Sequence, residues 1–331
     1  MCVHISGVFK KALCISGCII ALLLSGCGVT AENVQSEKTD AKDASKEEIT
    51  LQEEPSDGTH WTGGDTSMLT VLQETEEYTV YELCFARNGM QIYGNLYLPN
   101  KAQETYPTVI IGHGFGGSYS EMAVYAQALA KSGFAGYVFD FCGGAGYSRS
   151  DGDTMNMSVL TEEQDMEAVM DGLKDFSFID QNNLFLMGES QGGLVASLLG
   201  VRRISEVRGL ILLYPAYVIP DDAREEYPER EDIPETGNRF GITVGRGYFE
   251  DVWDMDVYQE ISGFDKSVLI IHGSADSVVP ISYSQQAAET FSDAELVILD
   301  GAGHGFYRAE QEKAAEEIIH FLQEEITDSV E

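Results

Sequence analysis

Residues 184–199 read LFLMGESQGGLVASLL. The first four residues form a short apolar run of the buried-strand kind, and Gln191–Leu199 has the composition of a helix. Between them, Gly188-Glu189-Ser190-Gln191-Gly192 fits the pattern G-x-S-x-G. A strand that turns sharply into a helix needs small residues beside the turn, because the central residue is held in a strained backbone conformation. A serine there presents its hydroxyl at the upper edge of a sheet. The helix N-terminus beneath it favours negative charge that develops close by.

Outward from this segment, strands and helices alternate. On the N-terminal side, Thr79–Ala86 and Met90–Leu98 read as two strands joined at Arg87-Asn88-Gly89, a hairpin turn. Pro107–Ile111 and Phe134–Phe139 read as strands, with a helix at Tyr119–Lys131 between them. Thr161-Glu162-Glu163-Gln164 has the form of a capping box and is expected to open a helix that runs to about Phe176. On the C-terminal side, strands are expected at Leu210–Leu213, Ser267–Ile271 and Glu295–Leu299, and helices at Ser282–Phe291 and Glu310–Glu325. This order predicts an α/β fold with a mostly parallel central sheet flanked by helices on both faces. One stretch, about 216–265, breaks the alternation. Its prolines, charges and aromatics (Tyr248, Phe249, Trp253, Tyr258) predict a packed lid.

A nucleophilic serine needs a base, and the base needs an orienting acid. His304, in GAGHGF at 301–306, and Asp276, in HGSADSVVP at 272–280, each follow an expected strand. Carboxyl ends of strands are where open α/β sheets collect their ligands. The chain order Ser190, Asp276, His304 is the one expected for such a turn. Two backbone N–H groups should receive a developing oxyanion: that of Gln191, and that of Phe115 in HGFGG at 113–117. His113 and His272 directly end strands and are expected to hydrogen-bond locally, while His4, His60 and His320 lie outside the core. Asp140 reads as a loop-ordering carboxylate and Cys142 as a buried thiol, its pairing with Cys84 left open by the sequence.

Composition narrows the function further. With 20 Lys+Arg against 55 Asp+Glu, the formal charge is −35, which repels phosphate backbones and makes nucleic acid an unsuitable partner. Four of the six cysteines fall in the first 27 residues, so the body is no disulfide scaffold, and no paired zinc-binding spacing occurs. Neither a metal nor a cofactor is implied.

The N-terminus has the plan of a secretory signal: Lys10 and Lys11, an apolar run from Ala12 to Leu24, then Ser25-Gly26-Cys27. The run is shorter than the roughly 20 residues that span a bilayer. Leu24-Ser25-Gly26-Cys27 resembles the lipobox of bacterial lipoproteins, which implies a diacylated Cys27 as mature N-terminus. Two acyl chains hold a protein stably at a membrane surface. From Gly28 to Thr66 there are ten acidic and three basic residues and one aromatic, Trp61. That stretch is expected to be a disordered tether with a reach of roughly 35 Å.

The motifs HGFGG (113–117), FDF (139–141), SDG (150–152), GESQGG (188–193), HGSADSVVP (272–280) and GAGHGF (301–306) together resemble an α/β-hydrolase. More narrowly, they resemble the bacterial cinnamoyl/feruloyl esterase-like group related to dienelactone hydrolases. The resemblance covers about residues 80–325. It departs at Glu189, where histidine is common in feruloyl esterases. Together with the N-terminal plan and the lipobox, it divides the chain into an expected signal peptide over 1–26, a lipidated tether over 27–66 and a hydrolase domain over 67–327 that carries the lid. The lipobox implies a membrane-anchored protein outside the cytoplasm, and the hydrolase resemblance implies an enzyme that cleaves small-molecule carboxylic esters, hydroxycinnamoyl or short acyl, by Ser190, His304 and Asp276. A serine peptidase of the same fold, acyl-peptide or prolyl type, is the alternative. A non-catalytic surface-binding lipoprotein is a third reading, against which the three residues argue.

Overall fold

The computed structural model describes residues 66–327. The leader and tether expected over residues 1–65, Cys27 included, lie outside them. In chain order the strands are β1 (Thr70–Glu74), β2 (Tyr78–Arg87), β3 (Met90–Pro99), β4 (Tyr106–Gly112), β5 (Ala135–Phe139), β6 (Ile179–Glu189), β7 (Gly209–Leu213), β8 (Thr236–Arg239), β9 (Ile242–Gly245), β10 (Val268–Gly273) and β11 (Ala294–Leu299). The helices are α1 (Tyr119–Lys131), α2 (Val159–Leu173), α3 (Gln191–Arg202), α4 (Ile219–Glu226), α5 (Gly247–Trp253), α6 (Val257–Ile261), α7 (Ser282–Thr290) and α8 (Ala309–Thr327).

Nine strands form one sheet in the order β1-β2-β3-β5-β4-β6-β7-β10-β11. The β1/β2, β2/β3 and β3/β5 pairs are antiparallel, and every pair from β5/β4 to β10/β11 is parallel. The parallel strands read as unbroken apolar runs because both faces are covered. In β7, Leu210 and Leu212 face one core while Ile211 and Leu213 face the other. The first core also takes Met166 and Val169 of α2 and Leu194 and Val195 of α3; the second takes Met122 and Leu129 of α1 and Ile318 and Leu322 of α8. The chain enters the parallel part of the sheet at β4, steps back to β5, then crosses to β6. The strand order therefore reverses beside β4, and the crevice at that point lies between the loops after β4 and β6.

Two expectations need correction. The capping box sits three residues earlier than expected: Ser158 is the N-cap of α2, its side chain accepting from the Thr161 N–H, while Thr161 reaches back from the third helical position. A hydroxyl pair makes the same reciprocal bonds as the serine–glutamate version, so Gln164 takes no part in capping. The helix also ends at Leu173, not near Phe176. In addition, β1 was not foreseen; all five of its residues are exposed, so it carries no burial pattern to read.

The 88–89 turn is a two-residue hairpin with Asn88 and Gly89 both at positive φ (51° and 84°), and Arg87 pairs Met90 across it. Arg87 ends the strand against α2, where its Nε lies 2.5 Å from the Asp165 Oδ1. The other Asp165 oxygen accepts from the Cys142 N–H at 2.8 Å, and the carboxylate has no exposed surface. Burial pushes the Asp165 carboxyl up, and the Arg87 guanidinium opposes the shift. Arg87→Ala should therefore destabilise the fold by about 3–5 kcal/mol in urea unfolding at pH 8. The loss should shrink toward pH 5, because protonation removes the unpaired buried charge. A deficit independent of pH would show that packing, not charge, is what Arg87 supplies.

Candidate active site

Ser190 sits between β6 and α3 at φ 51° and ψ −117°, a left-handed backbone that side chains rarely adopt. Several contacts hold it there. Its N–H donates to Leu213 O (2.9 Å) at the end of β7, and its carbonyl accepts from Ala216 N (2.8 Å) and Gly193 N (3.0 Å). Gly188 and Gly192 let the turn close: a methyl on Gly188 would drive into the backbone of Gly192, and one on Gly192 would meet His113 O at 2.5 Å. Although Ser190 occupies the N-cap position of α3, its side chain makes no capping bond. Its hydroxyl faces elsewhere.

The Ser190 Oγ lies 2.9 Å from His304 Nε2, and His304 Nδ1 lies 2.7 Å from Asp276 Oδ2. The loops after β10 and β11 are drawn together by their backbones. Ala275 N donates to Ala302 O (2.9 Å), Ser274 N to Leu299 O (3.0 Å), and Gly301 N to Ser274 Oγ (2.8 Å). Asp276 is fully enclosed. Burial alone would raise its carboxyl, but hydrogen bonds from His272, His304 and the N–H groups of Val279 and Val278 outweigh that and hold it well below the usual carboxylate range. It is a stable anion at any ordinary pH. With Asp276 accepting from Nδ1–H, the imidazole presents Nε2 as an acceptor to the serine hydroxyl. Such a line can move a proton from oxygen to nitrogen as the oxygen attacks.

The β4–α1 loop closes the other side. Gly117 N donates to Gly114 O (3.0 Å), with Gly116 at φ +71°, which makes a turn that leaves the Phe115 N–H outside its closing bond. A Cβ on Gly114 would sit 3.2 Å from the Ser190 Cβ, so this loop borders the serine. The Gln191 N–H is the first of α3 and is one of the donors that a helix leaves unpaired within itself. His113 and His272 hydrogen-bond locally. His113 Nε2 accepts from Phe141 N (3.2 Å) and Nδ1 meets Gly114 O (2.7 Å); burial lowers its pKa and keeps it neutral. His272 lies between Ser284 Oγ (2.7 Å) and Val279 O (3.0 Å). Asp140 orders loops, accepting from Tyr119 N (2.7 Å) at the start of α1 and from Arg149 N (2.6 Å). Cys84 and Cys142 are both free thiols.

Other residues emerge only in three dimensions. Glu189 accepts from the Tyr214 hydroxyl (2.5 Å) and from Gly114 N (3.4 Å), tying the elbow to the β4 loop. The Tyr214 ring stands edge-on to His304 at 4.8 Å between centroids. From the segment 216–265, Tyr248 and Phe240 bring their rings to 5.3 Å and 6.1 Å from that of Phe115.

Two family models match the chain: one described as serine aminopeptidase, S33, over residues 103–231, and one described as TAP-like protein over 250–329. The structure of Est1E from Butyrivibrio proteoclasticus with ferulic acid bound superposes with a TM-score of 0.69 at 26% identity, covering 74% of this chain and 99% of that one. The chain has the α/β-hydrolase fold. Curated proteins similar to this chain include the non-heme chloroperoxidase CPO-A1 of Kitasatospora aureofaciens, 24% identical over 72% of this chain and 98% of that protein. The AB hydrolase superfamily protein YisY of Bacillus subtilis is likewise 24% identical, over 64% of this chain and 90% of its own length.

Crowding at the elbow is testable against a turn glycine that lacks it. Gly89 is at positive φ, which Gly188 is not, but nothing lies within 4 Å of a Cβ placed there. Gly89→Ala should cost about 1 kcal/mol from backbone conformation alone. Gly188→Ala should lower the melting temperature by a clearly larger amount, since only backbone atoms could give way. Equal shifts for the two variants would mean that the elbow is not closed by backbone contact.

Proposed function

We propose that this α/β-hydrolase is a serine hydrolase that cleaves carboxylic esters through an acyl-enzyme. The observation that carries the reading is the unbroken line Ser190 Oγ–His304–Asp276, with both hydrogen bonds under 3 Å. Ser190 attacks the acyl carbonyl as His304 Nε2 takes its proton, and Asp276 stabilises the imidazolium that forms. The N–H groups of Phe115 and Gln191 receive the oxyanion. His304 returns the proton to the leaving alcohol, and water activated by the same nitrogen releases the acid. Esters of planar hydroxycinnamic or short acyl groups are the proposed substrates: the exposed Phe240 beside Phe115 offers an apolar wall, backed by the buried ring of Tyr248, and the similar Est1E was solved with ferulic acid bound. Residues 216–265 would then set acyl preference.

The match to a serine aminopeptidase model favours a second reading, hydrolysis of aminoacyl amides by the same three residues. A panel of p-nitrophenyl esters, methyl ferulate and aminoacyl anilides separates the two. Esters should turn over faster, and Ser190→Ala should lower their kcat at least about a thousandfold while the fold persists. Near-wild-type turnover in that variant, or anilides preferred over every ester, would overturn the ester reading.

Cys27 is proposed as the lipid anchor of the mature chain, outside the cytoplasm. Cys27→Ala should abolish lipid labelling and release the protein from the membrane fraction. Retention through an alkaline wash would contradict it.

A further inference from the structure

The side chain of Gln191 is as constrained as its backbone. It is 1% exposed, and its amide is held from both ends. Nε2 donates to Glu162 Oε2 of α2 at 2.7 Å and lies 3.8 Å from Met157 Sδ, while Oε1 accepts from the Tyr248 hydroxyl of α5 at 2.8 Å. Glu162 and Tyr248 are themselves 3% and 2% exposed. Three buried polar side chains from the core, the elbow and the lid segment thus form one hydrogen-bonded chain. Buried polar groups cost free energy unless each is paired, so removing one member of the trio leaves another unsatisfied. The middle member of that chain is the residue whose N–H points at the reacting carbonyl in the ester-hydrolase reading, on which this inference rests.

We propose that Tyr248, Gln191 and Glu162 form a latch through which the lid segment positions the oxyanion-donating N–H of Gln191. Gln191 is the first residue of α3, and the carbonyl side of its peptide plane is held by the bonds from Ala216 N and Gly193 N to Ser190 O. Its clamped side chain adds a restraint at the Gln191 Cα, on the other side of the N–H. Tyr248 brings the lid into the arrangement, and α5 is fastened nearby by the Asp251 carboxylate, which accepts from Ser158 Oγ at 2.5 Å. Glu162 and Tyr248 are positioning residues and touch no reacting atom.

The charge environment gives the latch a second signature. Glu162 shares α2 with Asp165, faces Gln191 and Met157, and lies near Tyr248, which in turn faces Arg239 and, further out, Asp222. Burial pushes the Glu162 carboxyl up to about 8, against the lowering effect of the Gln191 amide. Below that pH the group is neutral. Above it, an uncompensated anion sits behind the donor that must stabilise an oxyanion, so turnover should fall.

The test uses the full-length wild type, Tyr248→Phe, Glu162→Gln and Glu162→Ala, with esters as substrates and active serine counted by fluorophosphonate labelling. An oxyanion contact is made mainly in the transition state, so its misalignment lowers kcat and spares KM. Tyr248→Phe should label stoichiometrically, yet lose about tenfold in kcat with KM within about twofold, a fraction of the effect of deleting such a donor. Glu162→Gln should flatten the decline in kcat between pH 7 and 9 and exceed Glu162→Ala in kcat at pH 6.5. Unchanged kcat in Tyr248→Phe, a loss confined to KM, or a Glu162→Gln profile that retains the alkaline decline would overturn the latch. Failure of the underlying reading looks different: the wild type itself would neither label at Ser190 nor turn over esters.

Discussion

The structure depends on one strained residue. Ser190 is held at φ 51° by hydrogen bonds from two neighbouring segments and by glycines whose missing side chains let backbone meet backbone. Unfavourable conformations of this kind persist only where the surroundings over-determine them. Here the register of β6 against β7 supplies the anchor, since Glu189 pairs Leu213 and Leu213 accepts from the Ser190 N–H. The apolar packing of the two cores fixes that register, because a slip by one residue would exchange the faces of every side chain in β7. The same constraint aims the hydroxyl away from its own helix and toward His304.

Much of this was readable in the chain because the relevant signals are local. Strand ends, the helix at Tyr119–Lys131 and the order of Ser190, Asp276 and His304 follow from short apolar runs punctuated by glycine. The misplaced capping box has a different cause. Ser158 and Thr161 make a hydroxyl pair, and Gln164 supplied Thr161 with a more familiar partner three residues on. Helical spacing carried a correction: Glu162, Met166, Val169 and Leu173 lie along one stripe, and the last three are plainly core residues. A carboxylate in line with them belongs inside. β1 offered no such clue, since an exposed edge strand has no alternation.

Roles that join distant segments were not readable. Glu189 appears in the chain only as a departure from a histidine, yet it links Tyr214 to Gly114 across three loops. The aromatics of 216–265 suggested packing, but not that Tyr248 would reach the side chain of Gln191. These links depend on how an insertion folds back over the sheet, and hydrophobic periodicity says nothing about that.

The buried acids show why Glu162 stands apart. A chain with 55 acidic residues must keep most of them in water, and the few inside require compensation. Asp140 is satisfied by two backbone N–H groups, Asp165 by a guanidinium and an N–H, and Asp276 by two imidazoles and two N–H groups. Each of these arrangements suits an anion, and each ties together segments that the fold needs adjacent. Glu162 receives a single amide proton from Gln191, and burial leaves its carboxyl favouring the neutral form. An anion-binding shell is absent beside the peptide that, in the proposed ester cleavage, would itself stabilise an anion. A neutral acid there would brace that peptide by hydrogen bonding without opposing the charge that would develop on its far side.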